Sequence, residues 1–295
     1  MASAGGTWTV KRVLDWCEEY LRAHDDENPR LSAQWLVSHA TGLGRVELYT
    51  HFDQPLSEGE RASLREALKR RGKGEPLQYI SGEAAFRHIV VKAAPGVLVP
   101  RPETEVLVGV VLERLAGSDA AGSTGRPRVL EVGCGTGCVA CSLAKEAGME
   151  VVACDISPEA LACARANVDA LGLTDLVEVV EADCAAGVDA ATGFDVLVSN
   201  PPYIPTGELA DLPDEVASFE PRLALDGGPD GLAFFERLVG LAPRVLRLGA
   251  LFACELHETT LDEAARRLEA AGFADVGITR DLVGRPRVLA AVFSG

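Results

Sequence analysis

The 295-residue chain has no apolar run near the roughly 20 residues that a membrane-crossing helix needs. Its first residues, Met-Ala-Ser-Ala-Gly-Gly-Thr-Trp, carry neither the charged nor the apolar region of a secretory signal, so a cytoplasmic protein is expected. Zinc spacing is missing too. Of the eight cysteines (17, 134, 138, 141, 154, 163, 184, 254), only Cys138 and Cys141 form C-x-x-C, and no second pair or His cluster follows. Most lie in predicted strands and helices beside small apolar residues, as reduced thiols serving as small hydrophobes do. No repeat or low-complexity tract is present. Basic residues are scarce in one part of the chain. Residues 1–76 hold 11 Lys/Arg against 12 Asp/Glu, while the remainder holds 17 against 32, a net of −15. A phosphate backbone is repelled by such a surface, which disfavours free nucleic acid as the main partner.

What is present is a globular composition, 47% hydrophobic and 24% charged, long enough for one large domain and a smaller one. Residues 8–75 read as helices with short breaks. Val13, Trp16, Cys17, Tyr20 and Leu21 recur at helical spacing, and Asn28-Pro29 starts a second segment with Leu31, Trp35 and Leu36. Ser57-Glu-Gly-Glu60 is a capping box whose helix ends in Lys69-Arg-Arg-Gly-Lys-Gly74. The three tryptophans are expected in the core of this bundle, and the basic cluster as a solvated helix end. Tyr79-Ile80 and His88 to Val91 are strand-like, so a hairpin linker is expected over residues 76–99. A helix follows from about Arg101 to Ala116, then a loose loop from Gly117 to Arg126. From Arg128 strands alternate with helices to the C-terminus, which predicts a parallel, doubly wound α/β sheet over residues 100–295.

Four strand ends carry the chemistry. Phe194 to Ser199 is a short, apolar, β-branched run that Pro201 and Pro202 stop, since neither proline donates a ladder hydrogen bond. Asn200, before a proline, is held extended at the carboxyl end of the strand, where open α/β sheets bind ligands. An Asn oxygen, the Pro201 carbonyl and the Tyr203 ring thus meet at one point. Two neighbouring acceptors suit a planar –NH₂ group. Upstream, Glu131-x-Gly133-x-Gly135-x-Gly137 lies between a strand and a helix, where glycines let the backbone turn sharply and approach a ligand. The spacing differs from the G-x-G-x-x-G that receives a pyrophosphate, which disfavours a dehydrogenase. Asp155 ends the second strand, placed for both hydroxyls of a ribose, and Asp183 ends the third, near where an adenine would lie.

These four strand ends resemble the class I S-adenosylmethionine-dependent methyltransferases with an Asn-Pro-Pro-Tyr motif, which methylate an –NH₂ on a planar system. Glu75-Pro-Leu-Gln-Tyr-Ile80, Phe86, Val99-Pro-Arg-Pro-Glu-Thr-Glu105, Phe219-Glu-Pro221 and Asp226-Gly-Gly-Pro-Asp-Gly231 are similar to the release factor glutamine methyltransferases over nearly the whole chain. The resemblance implies a Rossmann-like methyltransferase sheet, a helical substrate-recognition domain over 1–75, and a glutamine in the Gly-Gly-Gln loop of peptide chain release factors as acceptor. It implies cofactor contacts from Glu131, Gly133, Cys134, Gly135, Thr136, Gly137, Asp155, Asp183, Cys184 and Asn200, with Phe86 close by. Arg101, Pro102, Glu103 and Thr104 would line the substrate side, with Asn200, Pro201, Pro202 and Tyr203 catalytic. No metal is expected; nor is direct nucleic-acid contact or a membrane, and the enzyme is expected to be a monomer. His257 is expected to be structural or solvated. The chain departs from the family at Glu131, usually Asp, and at Cys184, often aromatic. A ribosomal-protein glutamine methyltransferase shares this chemistry, while a nucleic-acid adenine methyltransferase and a non-catalytic binding module are further alternatives.

Overall fold

The computed structural model describes residues 7–116, 125–188 and 193–295, so most of the loop expected at 117–126 lies outside the described residues. It divides into two compact units, Met1–Gly82 and Glu83–Gly295. The first contains α1 (Val10–Arg22), α2 (Pro29–Thr41), α3 (Glu47–Thr50), α4 (Glu58–Arg71) and α5 (Leu77–Ser81). Val10, Val13, Cys17 and Leu21 recur at helical spacing on α1 and bury against Leu36, Val37, Leu64 and Leu68. The capping box forms as expected: the Glu60 amide donates to Ser57 Oγ at 3.2 Å and the Ser57 amide to Glu60 Oε2 at 2.6 Å.

Three local expectations are corrected. Tyr79 and Ile80 are helical, because Gly82 in the left-handed region (φ 77°) closes a short turn of helix there. Trp35 is 42% exposed with the Arg45 guanidinium 5.0 Å from its ring, whereas Trp8 and Trp16 pack on the bundle core. The basic end of α4 is not simply solvated. Arg70 pairs with Glu75 at 2.5 Å, and Arg71 pairs with the buried Asp26 at 2.6 Å.

The second unit opens with an antiparallel hairpin, β1 (Glu83–Phe86) and β2 (Ile89–Lys92), then α6 (Pro102–Ala116). The hairpin strands therefore belong with the larger unit. The alternation continues through β3 (Arg128–Val132), α7 (Cys138–Ala147), β4 (Glu150–Asp155), α8 (Pro158–Leu171), β5 (Val177–Glu181) and β6 (Phe194–Ser199). After short helical turns that include α9 (Asp214–Ala217) come α10 (Ala233–Val245), β7 (Leu246–Glu255), α11 (Leu261–Ala270), β8 (Phe273–Arg280) and β9 (Pro286–Phe293). The sheet order is β5-β4-β3-β6-β7-β9-β8. It is mixed rather than wholly parallel: β9 runs antiparallel to β7 and to β8, since a hairpin turn at Asp281–Arg285, and not a helix, joins β8 to β9. The central parallel strands β3 and β6 are almost wholly buried, whereas edge strand β5 is buried only at Val177, and helical layers on both faces make two apolar cores. No described helix is long and apolar enough to cross a membrane.

The Arg71–Asp26 pair generates a stability test. Asp26 also accepts from the Asn28 amide and the Ser32 hydroxyl, each at 2.9 Å, so removing Arg71 strands a buried, structured carboxylate. Arg71→Ala is expected to cost about 3 kcal/mol, read by urea unfolding of the full chain. An unchanged midpoint would contradict this.

Candidate active site

Parallel register brings the strand ends together. Glu131 on β3 lies opposite Ala153 on β4 and Val198 on β6, and Ser199 Oγ donates to the Val132 carbonyl at 2.7 Å. The glycine loop then crosses the sheet edge. The Gly133 and Cys134 amides donate to the Cys154 carbonyl, and the Gly135 amide donates to Asp155 Oδ2 at 2.9 Å. Gly133 takes φ 73°, and a Cβ there would meet no heavy atom within 4 Å, so the loop leaves open space beside its backbone. At Gly137 the same atom would lie 3.2 Å from Ala164 Cβ, because α8 packs directly on the loop. Asn167 on α8 anchors this arrangement, donating to the Thr136 carbonyl at 2.9 Å and accepting from the Lys92 amide at 2.6 Å.

Two cavities result. The first, about 330 Å³, is lined by Glu131, Gly133 to Thr136, Asp155, Asp183, Cys184, Val97 to Val99, Phe234 and Arg237. The second, about 700 Å³, is lined by Glu103, Pro201, Tyr203, Val216, His257, Arg285 and Arg287 among others. Asn200 borders both, as do Leu98, Arg101 and Ala224. Its amide Nδ2 donates to Thr104 Oγ1 at 2.9 Å, which leaves Oδ1 free to accept. The loop behind it is braced by backbone. The Ile204 amide donates to the Leu225 carbonyl and the Gly227 amide to the Ile204 carbonyl. A Cβ at Gly227 would fall 2.7 Å from the Tyr203 backbone, and at Gly231, with φ 76°, 2.5 Å from the Tyr203 carbonyl oxygen.

Most residues singled out in the sequence converge here. Pro202 and Thr104 line the first cavity, and Glu103 and Tyr203 the second. Phe86 does not: it is 1% exposed on the inward side of β1, packed in the core, and lines neither cavity. Pro102 begins α6 and lines neither, while Gly137 sits behind the loop. His257, expected to be structural or solvated, borders the second cavity, with Nδ1 2.8 Å from Thr259 Oγ1. Asp183 already pairs with Arg237 at 2.5 Å. Asp155 accepts from the Ser157 amide as well as from Gly135. Among the described residues no His/Cys/Asp/Glu group could hold a metal ion, and all eight cysteines are free thiols.

Sequence reasoning missed four contributors: Phe234 and Arg237 on α10, and the roles of Glu220 and Glu255. Arg101 donates to Glu220 Oε2 at 2.6 Å, tying the start of α6 to the loop before α10. Burial pushes the Glu220 carboxyl up despite Arg101 and the Val99 amide. Glu131 accepts from the Ala140 amide at 2.9 Å, yet burial pushes its carboxyl up to about 8, with Asp155 adding to the rise.

Two predictions follow from these geometries. A carboxyl whose folded pKa exceeds its ordinary 4.5 keeps its proton longer in the fold. Its stabilising contribution is full below 4.5 and is lost as pH rises through about 8. Thermal melts at pH 5 and pH 8 should show a smaller loss for Glu131→Gln than for the wild type; an equal loss would refute the assignment. Gly231→Ala must displace the Tyr203 carbonyl or strain its own backbone, and is expected to lose about 1–3 kcal/mol in denaturant titration.

Comparison with known proteins agrees with this geometry. Residues 12–82 match the family model described as "PrmC N-terminal domain", and residues 110–212 match "Methyltransferase small domain". A release factor glutamine methyltransferase of Chlorobaculum tepidum is 42% identical, over 93% of this chain and 94% of its own. That of Geobacter sulfurreducens is 40% identical, over 96% of each chain. Among solved structures, a methyltransferase from Pyrococcus furiosus is similar with TM-score 0.51 and 22% identity, covering 70% of this chain and 89% of its own. The hMettl16 catalytic domain, in complex with an MAT2A 3′UTR hairpin, reaches TM-score 0.54 at 17% identity, over 81% of this chain and 82% of its own. The two structures share the class I methyltransferase fold. Nearly full-length identity of this order shows that the chain belongs to the release factor glutamine methyltransferase family.

Proposed function

We propose that this enzyme transfers a methyl group from S-adenosylmethionine to the N5 amide nitrogen of the glutamine in the Gly-Gly-Gln loop of peptide chain release factors. The observation that carries the reading is Asn200 on the border of two cavities, with Nδ2 engaged by Thr104 and Oδ1 free. The first cavity suits the cofactor. Open space lies beside Gly133, Asp155 can receive ribose hydroxyls, and Phe234 offers a ring on a wall where Cys184 has none. Glu131, Cys134, Thr136 and Asp183 line the same space. When bound, S-adenosylmethionine supplies an electrophilic methyl on a sulfonium centre.

The second cavity would take the glutamine. An amide nitrogen is a weak nucleophile because its lone pair is delocalised into the carbonyl. Asn200 Oδ1 and the Pro201 carbonyl accept its two hydrogens, fix the nitrogen and favour partial pyramidalisation toward the first cavity. Tyr203 packs beside the amide plane, and Pro202 stiffens the loop. Preorganised acceptors and positioning thus supply most of the acceleration. No strong general base is needed, since a protonated N-methyl amide loses its proton readily after transfer. Arg101, fixed by Glu220, and Glu103 shape the acceptor side, and Pro102 sets the start of their helix. The helical unit would help hold the protein acceptor, in the cytoplasm and with the enzyme as a monomer. The net of −15 over residues 77–295 fits a protein acceptor better than a nucleic acid.

The direct test is transfer of labelled methyl to purified release factor beside its Gly-Gly-Gln Gln→Ala variant. Label on the wild type alone is expected. Label on neither, with cofactor bound, would redirect the reading to a ribosomal-protein glutamine. Asn200→Ala should bind cofactor nearly as before but lose about 100-fold in kcat; undiminished turnover would defeat the mechanism.

A further inference from the structure

We propose that the tip of the β8–β9 hairpin, Leu282 and Val283, docks an apolar patch of the release factor beside the cavity that takes its glutamine. The inference rests on the functional reading above. β7 runs parallel to β6 with Ser199 opposite Cys254, so the β6 end that carries Asn200 is level with Glu255. β9 runs antiparallel to β7 with Glu255 opposite Val288. The chain before Val288 therefore projects past the edge on which Asn200 stands. At about 3.3 Å per residue, Arg285 lies about 10 Å beyond that edge. Arg285 lines the second cavity while its side chain is 60% exposed, so it stands at the mouth.

The turn is tied down from within. Asp281 Oδ1 accepts from the Val283 amide at 3.1 Å and the Arg285 amide at 2.8 Å, and Oδ2 accepts from Arg287 Nε at 3.2 Å. The Asp281 amide donates to the Arg285 carbonyl, and Arg280 Nη1 donates to the Gly284 carbonyl at 2.7 Å. None of these bonds uses the side chain of Leu282 or Val283. Those two stand in water. Leu282 is 102% exposed and Val283 78%, and among the described residues no large apolar side chain is more exposed than Leu282. A single exposed leucine is ordinary. Two adjacent apolar side chains on a fixed turn at a cavity mouth make a ready contact, because such a turn loses little freedom when covered.

The mouth decides what covers them. Leu282 is three residues from Arg285, so their Cα atoms lie within about 11 Å of each other. A glutamine reaches the second cavity only on a loop whose flanking protein lies over that mouth, and the tip is then beneath it. A second copy of the chain seated there would stand in the way of the acceptor. Asp281, the carboxylate of the turn, is spent on the turn itself, with 5% of its side chain exposed. The exposed tip therefore offers a partner aliphatic surface and no acidic group. An apolar patch of the release factor next to its Gly-Gly-Gln loop is the matching chemistry.

The experiment compares wild type, Leu282→Ser combined with Val283→Ser, Leu282→Asp and Leu282→Met. It reads kcat and KM with release factor, cofactor Kd, melting temperature and sedimentation. The double variant and Leu282→Asp are expected to raise KM at least about tenfold, with kcat and cofactor Kd held within about twofold. Leu282→Met, which keeps an apolar chain of similar volume, should stay within about threefold of the wild-type KM. Melting temperatures should not move, since neither side chain is packed in the fold. Wild-type KM in the double variant would overturn the proposal, as would equal KM for Leu282→Asp and Leu282→Met. If the double variant does not fold, the Leu282 pair decides. A wild-type dimer that Leu282→Asp breaks with KM unchanged would assign the tip to a second copy and overturn the proposal too. A wild type that methylates no release factor would overturn the functional reading and this proposal with it, whereas an active wild type with KM unchanged across the variants sinks this proposal alone.

Discussion

The hydrogen bond from Ser199 Oγ to the Val132 carbonyl joins the ends of the two central strands, and the site depends on that junction. β3 delivers the glycine loop and β6 delivers Asn200, and both must stop at the same level for a cofactor space and an acceptor space to share a wall. The parallel register Val129↔Val196 through Glu131↔Val198 sets that level. The strand terminators then act at once. Pro201 and Pro202 end β6 by removing its donors, and the Gly133 turn ends β3 by leaving the region that side chains favour.

Beyond this edge, three buried carboxyl groups hold separate pieces of chain in place. Glu131 fastens the start of α7 through the Ala140 amide, Glu220 holds Arg101, and Glu255 holds Tyr203. Burial raises all three, so each sits nearer to changing charge at neutral pH than a surface carboxyl does. Their partners differ, and so do their effects. Glu131 has a backbone amide and no cation, Glu220 has a guanidinium, and Glu255 has the hydroxyl of Tyr203, a motif residue. The acidic surface of the unit and its buried acids are thus separate matters: the first shapes partner choice, the second shapes the loops.

Close backbone approach is the other constraint. Gly227 and Gly231 lie where any side chain would strike the Tyr203 backbone. In the sequence, the Asp226 to Gly231 stretch carries only a family resemblance. Its physical reason, glycine against main chain, lies in the tertiary contact with Tyr203. Phe86 shows the converse. It belonged to the same resemblance and was expected near the cofactor, but the alternation of β1 turns it into the core.

The sequence by itself determined the elements and their chemistry. Hydrophobic periodicity and proline and glycine punctuation mark β6 over Phe194–Ser199 and the alternation of strands with helices from Arg128, because these signals act over a few residues. The same local signals set Asn200, Asp155 and the glycine loop at strand ends. Only the tertiary structure decided what depends on distant contacts. It reversed β9 against β7 and brought Phe234, Arg237 and Glu255 to a site tens of residues away. A carboxylate at the end of an apolar strand looks the same in sequence whether it meets water or the hydroxyl of Tyr203. Packing makes that distinction, since burial removes the water and leaves the Tyr203 hydroxyl as its donor at 3.1 Å.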